Sequence, residues 1–279
     1  SHNAALAAEW AAHEARTRGV PLTLVHALSL PGVNTVEPSE FALRARQEGR
    51  TVLDGVAARL RERIPGLRTQ ALLTDLSAAR ALHELSVRCA LVVTGTRGHG
   101  GFPGMSLGSV SRKLAAHAQC PLVVVPGGQP PRDPLNEVVV GIEPDRADAP
   151  LEFAFAAAAR YGALLHAVRA WSPLRVRTTV ADGISDDPGR AHDTEAAAVD
   201  KLLEPFRSSN PKVDVEVTAG RGNTVPILIE AARDTRLLVV GAHRHRAPLV
   251  VGAGYVVDGV LAHCPVPVAV VPIHEPLRR

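Results

Sequence analysis

Residues 90–126 read ALVVTGTRGHGGFPGMSLGSVSRKLAAHAQCPLVVVP. The run 90–95 is short, apolar and β-branched, as expected of a strand buried on both faces of a parallel sheet. A glycine-rich loop follows. Helical spacing then occupies 109–118, and 121–126 (PLVVVP) is a second short strand. Strand, loop, helix, strand is the βα unit of a parallel sheet.

The same order runs outward in both directions. Upstream lie a helix over 4–18 with Leu6, Trp10 and His13 on one side, a strand over 21–29, a helix over 40–63 and a strand over 67–75. A helix over 77–89 follows, with Asp75 or Ser77 available as its N-cap. Glycine and proline in 127–136 (GGQPPRDPLN) resist both helix and strand and mark a linker. The pattern then restarts: strand 137–143, helix 149–161, strand 164–171, helix 193–207, strand 213–220, helix 224–234, strand 236–242, helix 255–263 and strand 267–272.

The restart is a repeat. Gly241 minus Gly95 is 146, and Gly254 minus Gly108, His263 minus His117, Pro267 minus Pro121 and Pro272 minus Pro126 give the same 146. Nearer the start of each half, Gly162 minus Gly19 and Phe153 minus Trp10 are both 143. One offset shared at corresponding structural points is the mark of an internal duplication. Two domains, 1–131 and 132–279, follow, in keeping with 279 residues at roughly 150 per domain. By the 143 offset, Ser1 aligns with Pro144, just after the strand that opens the second half. The expectation is a first strand of the first domain lying before Ser1.

Composition excludes several classes. Lys+Arg number 31 against 28 Asp+Glu, so the net charge of +3 lacks the basic excess of a dedicated nucleic-acid binder. No apolar run reaches the roughly 18 residues of a membrane span. Residues 1–18 carry Glu9, Glu14, Arg16 and Arg18 in a helical pattern rather than a signal peptide. Cys89, Cys120 and Cys264 are odd in number and form no C-x-x-C, so no disulfide framework or zinc ribbon is indicated. A reducing, cytoplasmic location is expected.

The chemistry concentrates in the loop from Gly95 to Ser111. Glycine lets backbone approach a ligand closely. The helix that begins near Ser109 directs amides and a partial positive charge back at the loop. Ser109 and Ser111 add hydroxyls and Arg97 a charge, which together form a phosphate cradle. The alternative is a turn in which Ser109 only caps a helix. Neither G-K-[ST] nor a complete G-x-G-x-x-G is present, since Pro103 takes the last glycine's place.

The spacing Gly95-x2-Gly98-x9-Gly108-Ser109 resembles the G-2x-G-9x-G-[ST] motif of the ATP-binding universal stress proteins. VVTGTRG, GSVSRKLAAHAQCPLVVVP, LTLVHAL and VVVGIE extend the likeness along nearly the whole chain, so the double copy looks like a tandem member. The resemblance implies two flavodoxin-like α/β/α domains with parallel five-stranded sheets in the order 3-2-1-4-5. It implies that the last strands pair across the halves as an internal pseudo-dimer, and a homo-dimer of chains. The implied cofactor is ATP, with or without Mg. Gly95, Gly98 and Gly108 would bring amides to ribose and phosphates, and Ser109, Val110 and Ser111 would meet phosphates. Thr94 and Arg97 would line the site, with Ala27 near the adenine. The family's first-strand aspartate would fall before Ser1.

The second copy departs from the motif. Arg244 replaces the second glycine, Tyr255 the Ser/Thr and Val257 the second hydroxyl, while Glu143 stands for the aspartate. This site reads as degenerate. The counter-reading makes His243, Arg244 and His245 cationic phosphate ligands. As a metal site, His243 and His245 lack a third ligand at a recognisable spacing. His117 and His263 read as packing or capping residues, Cys120 and Cys264 as small apolar fillers, Trp10 and Trp171 as core, and 181–187 as a solvated loop.

No Ser-His-Asp order, H-E-x-x-H or carboxylate pair stands out, and the loop lacks an acidic Mg ligand. The function expected is ATP binding by a regulatory or sensor protein of the stress response, with nucleotide in the first half. The alternatives are a nucleotide-independent interaction module of the same fold and a slow ATPase. No membrane and no nucleic acid are expected as partners.

Overall fold

The computed structural model describes residues 1–28, 40–96, 107–128, 134–144, 147–171, 188–243 and 253–273. The chain divides into two compact units, Ser1–Gly127 and Gly128–Arg279.

The second unit carries the complete pattern. Its elements are β5 (Glu137–Gly141), α5 (Asp148–Tyr161), β6 (Leu164–Trp171), α6 (Pro188–Ser209), β7 (Val215–Arg221), α7 (Thr224–Ala232), β8 (Leu237–His243), α8 (Tyr255–His263) and β9 (Val268–Ile273). Its neighbouring strands pair parallel, in the order β7-β6-β5-β8-β9. Numbered within the unit this is 3-2-1-4-5, as the resemblance implied. Val138, Val139 and Val140 of the central β5 are fully buried. Burial of three successive residues requires cover on both faces, which is why the strand is apolar throughout rather than alternating. The cover comes from α5 and α6, which meet each other, and from α7 and α8, which also meet. Phe155 of α5 stacks on Phe206 of α6, with centroids 5.7 Å apart.

The first unit comprises α1 (His2–Arg18), β1 (Leu22–Ala27), α2 (Glu40–Arg63), β2 (Thr69–Thr74), α3 (Ala78–Ser86), β3 (Val92–Gly95), α4 (Ser109–His117) and β4 (Leu122–Val125). β1 pairs parallel with β2, and β3 parallel with β4. These pairs match β6-β7 and β8-β9 of the second unit. Among the described residues no strand of this unit stands where β5 stands in the other. Helix α1 packs against β1, β3 and β4, whereas its counterpart α5 packs on β5 as well as on β6, β8 and β9.

The duplication is visible in backbone detail. Gly19 ends α1 at φ 68 and ψ 21, and Gly162 ends α5 at φ 57 and ψ 40. Both are left-handed C-caps, a conformation that glycine adopts without Cβ strain.

The face expected for α1 is corrected. Its buried residues are Ala7, Ala11, Ala12, Glu14 and Ala15, while Trp10 is half-buried and His13 exposed. Small alanines let the helix axis approach the strands, and bulkier side chains turn to the margin. Buried Glu14 is paired with Arg18 at 2.6 Å, as a buried carboxylate requires. Trp171 is core, at 6% exposure. Ser77 is the N-cap residue of α3 but makes no side-chain cap bond. Asp75 instead pairs with Arg46 of α2 at 2.7 Å.

Candidate functional site

In an open parallel sheet, ligands bind beyond the carboxyl ends of the strands, where connections diverge. In the first unit that edge gathers Ala27, the last residue of β1, with Thr94 and Gly95 at the end of β3 and Gly108 to Ser111 at the start of α4. Arg97 and Gly98 lie outside the described residues.

The two ends of the glycine loop are tied together by main chain. The Gly108 N–H donates to the Thr96 carbonyl at 2.6 Å, and the Thr96 N–H donates to Val125 of β4 at 3.0 Å. A second tie uses side chains. The Ser111 hydroxyl is buried, at 2% exposure, and donates to the Gly95 carbonyl at 2.7 Å. It lies 3.2 Å from the Thr94 hydroxyl. A hydroxyl has one proton, and that of Ser111 is committed to Gly95, so Thr94 donates to Ser111. Ser111 therefore faces inward to the neck of the loop. Ser109 is exposed at the first helical position, with Val110 half-buried behind it. Gly108 precedes them as N-cap and has no side chain to offer their amides. The donors left facing outward are the first-turn amides and the Ser109 hydroxyl, a set suited to an anion.

Gly95 has a packing reason as well. A Cβ there would stand 2.6 Å from the Asn3 carbonyl oxygen and 2.8 Å from Asn3 Cβ. Its counterpart Gly241 is equally crowded, by Ile273 Cδ1 at 2.6 Å and Pro150 Cγ at 3.0 Å. The first motif glycine thus serves close approach of a helix and strand in both units.

The equivalent edge of the second unit differs in chemistry. Thr94 and Ser111 are matched by Val240 and Val257, each 3% exposed. Ser109 is matched by Tyr255, 72% exposed, whose hydroxyl lies 3.2 Å from the Asn223 amide nitrogen. Gly254 has φ 107, against −73 at Gly108, so the chain enters the helix by another path. Glu143, beyond the end of β5, is met by His243 of β8 at 3.1 Å. Arg244 and His245 lie outside the described residues, as does 181–187. Sequence reasoning did not foresee the Glu143–His243 contact, because it depends on β5 and β8 being neighbours.

Among the described residues no group of three or more His, Cys, Asp or Glu is placed to hold a metal ion, and no helix is long and apolar enough to cross a membrane. His117 and His263 are exposed in the last turns of α4 and α8, and His263 Nδ1 lies 3.0 Å from the Gly259 carbonyl. Cys120 and Cys264 are buried, and burial pushes the Cys264 thiol up to about 11.

The model of the universal stress protein family matches residues 1–126 and again 135–272. The chain belongs to the universal stress protein family. Universal stress protein Rv2623 of Mycobacterium tuberculosis is 31% identical over 280 residues, covering 95% of this chain and 92% of that protein. A universal stress protein from Archaeoglobus fulgidus has a similar fold, with a TM-score of 0.69 at 18% identity over 99% of this chain and 94% of that one. A second structure, a putative universal stress protein from Pseudomonas aeruginosa, gives 0.56 at 16% identity over 91% of this chain and 93% of that one. The duplicated family match places this universal stress protein among tandem members.

Proposed function

We propose that this universal stress protein acts in the stress response as a nucleotide-responsive regulator, and that its first unit binds ATP at the carboxyl edge of β3. The observation that carries this reading is the part-buried Thr94–Ser111–Gly95 hydroxyl chain at the neck of the glycine loop. Its counterpart is a valine pair. The fold accepts apolar side chains at both places, so the hydroxyls are not needed to build the sheet. Their effect is to fix the Gly95 carbonyl and the start of α4 relative to one another, which preorganises the amides of Ser109 and Val110 for phosphate. Preorganisation lowers the ordering cost of binding.

The residues fit the group. The outward donors are amides and one hydroxyl, and these suit a polyphosphate. Ser109 would donate to phosphate, and Ala27 would stand beside the base. Arg97 and Gly98 complete the motif by sequence. Any Mg would be held by the phosphates. The ATP would supply charge and a stacking surface, and a difference between loaded and empty states would be read by a partner.

Calorimetric titration of the full chain with ATP tests this. Saturable binding lost in Ser109→Ala with Gly98→Arg supports it. An absence of heat up to millimolar ATP would remove it. That result would favour the second reading, an interaction module without nucleotide, for which Gly95 is the supporting observation: its missing side chain is already explained by Asn3.

A further inference from the structure

Away from the carboxyl edge, the second unit places three side chains in line across neighbouring strands. His166 of β6 lies beside Val139 of β5 and Glu216 of β7 in the ladder. Side chains two residues apart share a face, so Glu137, His166 and Thr218 share one. His166 Nδ1 lies 2.8 Å from Glu137 Oε1, and His166 Nε2 lies 2.8 Å from Thr218 Oγ1. An ionised carboxylate only accepts, so Nδ1 carries the proton. In the neutral ring Nε2 is then an acceptor, and Thr218 donates to it. The order is hydroxyl, imidazole, carboxylate, with each ring nitrogen in the role that general-base activation of an alcohol requires.

We propose that Thr218 is an acyl-acceptor site, activated by His166 and oriented by Glu137, for small acyl donors with good leaving groups such as aryl esters and acyl phosphates. Three features support it. All three residues sit on strands, so their geometry is held by the ladder. Glu137 and His166 are 14% and 19% exposed, whereas Thr218, on β7 at the edge of the unit's sheet, is exposed. The base is thus partly shielded while the hydroxyl is reachable. In the first unit the matching positions are Thr23 and Leu72, so the fold does not demand the arrangement.

In the step, Thr218 Oγ1 bonds to the acyl carbon and its proton passes to His166 Nε2. The bond from acyl carbon to leaving group breaks, and the leaving group departs with the electron pair. The imidazolium returns the proton to it or to solvent. Water, deprotonated by His166 Nε2, then bonds to the acyl carbon; the bond to Thr218 Oγ1 breaks, Oγ1 takes the proton back from Nε2, and the carboxylic acid leaves.

The test uses the full chain and p-nitrophenyl acetate. Trypsin cuts after Lys212 and Arg221, and in the peptide 213–221 (VDVEVTAGR) Thr218 is the sole side-chain hydroxyl. The expected result is acetyl on that peptide, lost in Thr218→Val. Acetylation should slow about a hundredfold in His166→Ala, the usual scale of general-base help, and added imidazole should restore it. Glu137→Gln should slow it less and leave imidazole rescue of the His166 variant intact. Acetyl confined to lysines or histidines, or His166→Ala reacting as fast as wild type, would overturn the proposal. Thr218→Val is a near-isostere on an exposed strand position, so its result does not depend on a risk to folding.

Discussion

The two glycine loops begin on equivalent strands and end on equivalent helices, yet only one keeps hydroxyls at its neck. In the first unit, half-buried Thr94 and buried Ser111 form a chain to the Gly95 carbonyl. In the second, Val240 and Val257 fill the same places. A buried hydroxyl must be bonded to avoid a desolvation cost, whereas a valine pair gains from burial without that demand. The apolar pair is the simpler solution for stability alone. The first unit therefore carries the more demanding one, and the difference separates what the fold needs from what the loop needs. Gly95 and Gly241 teach the converse. They are alike in both units because each lies against a neighbouring element.

The largest expected effect comes from writing the second loop into the first. Gly98→Arg, which copies Arg244, should weaken ATP binding about a hundredfold, roughly 2.7 kcal/mol, read by calorimetry. An unchanged dissociation constant would detach the loop from the nucleotide. Next, Gly95→Ala should cost about 2–3 kcal/mol in denaturant unfolding, because its Cβ meets the Asn3 main chain. Gly241→Ala should cost about 1 kcal/mol, since Ile273 Cδ1 is the tip of a side chain that can turn away. Equal costs would mean that the two glycines are not distinguished by what crowds them. Third, Thr94→Val with Ser111→Val should lower ATP affinity about tenfold at a stability cost of about 1–3 kcal/mol, since the Gly95 carbonyl is left without its donor. A fall in melting temperature with affinity unchanged would make the hydroxyl chain structural. The smallest change is expected of Cys264→Ala, which copies Ala118 and should stay within about 1 kcal/mol. In the unmutated protein at neutral pH, the Cys264 thiol, pushed up to about 11, stays protonated, so iodoacetamide should mark half-buried Cys89 first, as read by peptide mass.

Much of the fold was legible because its signals are local. The strand over 164–171 and the helix over 255–263 have the bounds that their apolar spacing gives. Glycine after Arg18 and after Tyr161 told where two helices end. The order 3-2-1-4-5 came from the family resemblance rather than from periodicity. For the site, spacing identified the loop and the start of α4, but could not show that Ser111 turns inward while Ser109 stays outside. That distinction depends on how the helix is rotated against β3. Trp10 reads as core because it is the bulkiest apolar residue of α1, yet it is half-buried, since close packing on the sheet favours Ala7, Ala11 and Ala15. The Glu137–His166–Thr218 line was invisible for a different reason. Its members are separated by 29 and 52 positions, and only the register of three strands brings them to one face.

The clasp between Gly108 N–H and the Thr96 carbonyl is made wholly of main-chain atoms. Any residues except proline at position 108 could form it, so closure of the loop imposes almost nothing on the side chains it encloses. The contents of such a loop can be exchanged without renegotiating the sheet below. After a duplication, one copy is then free to drift in its binding chemistry while still folding, and the loop becomes a natural graft point: a foreign segment ending on the same two peptide groups would inherit a closed neck from the scaffold.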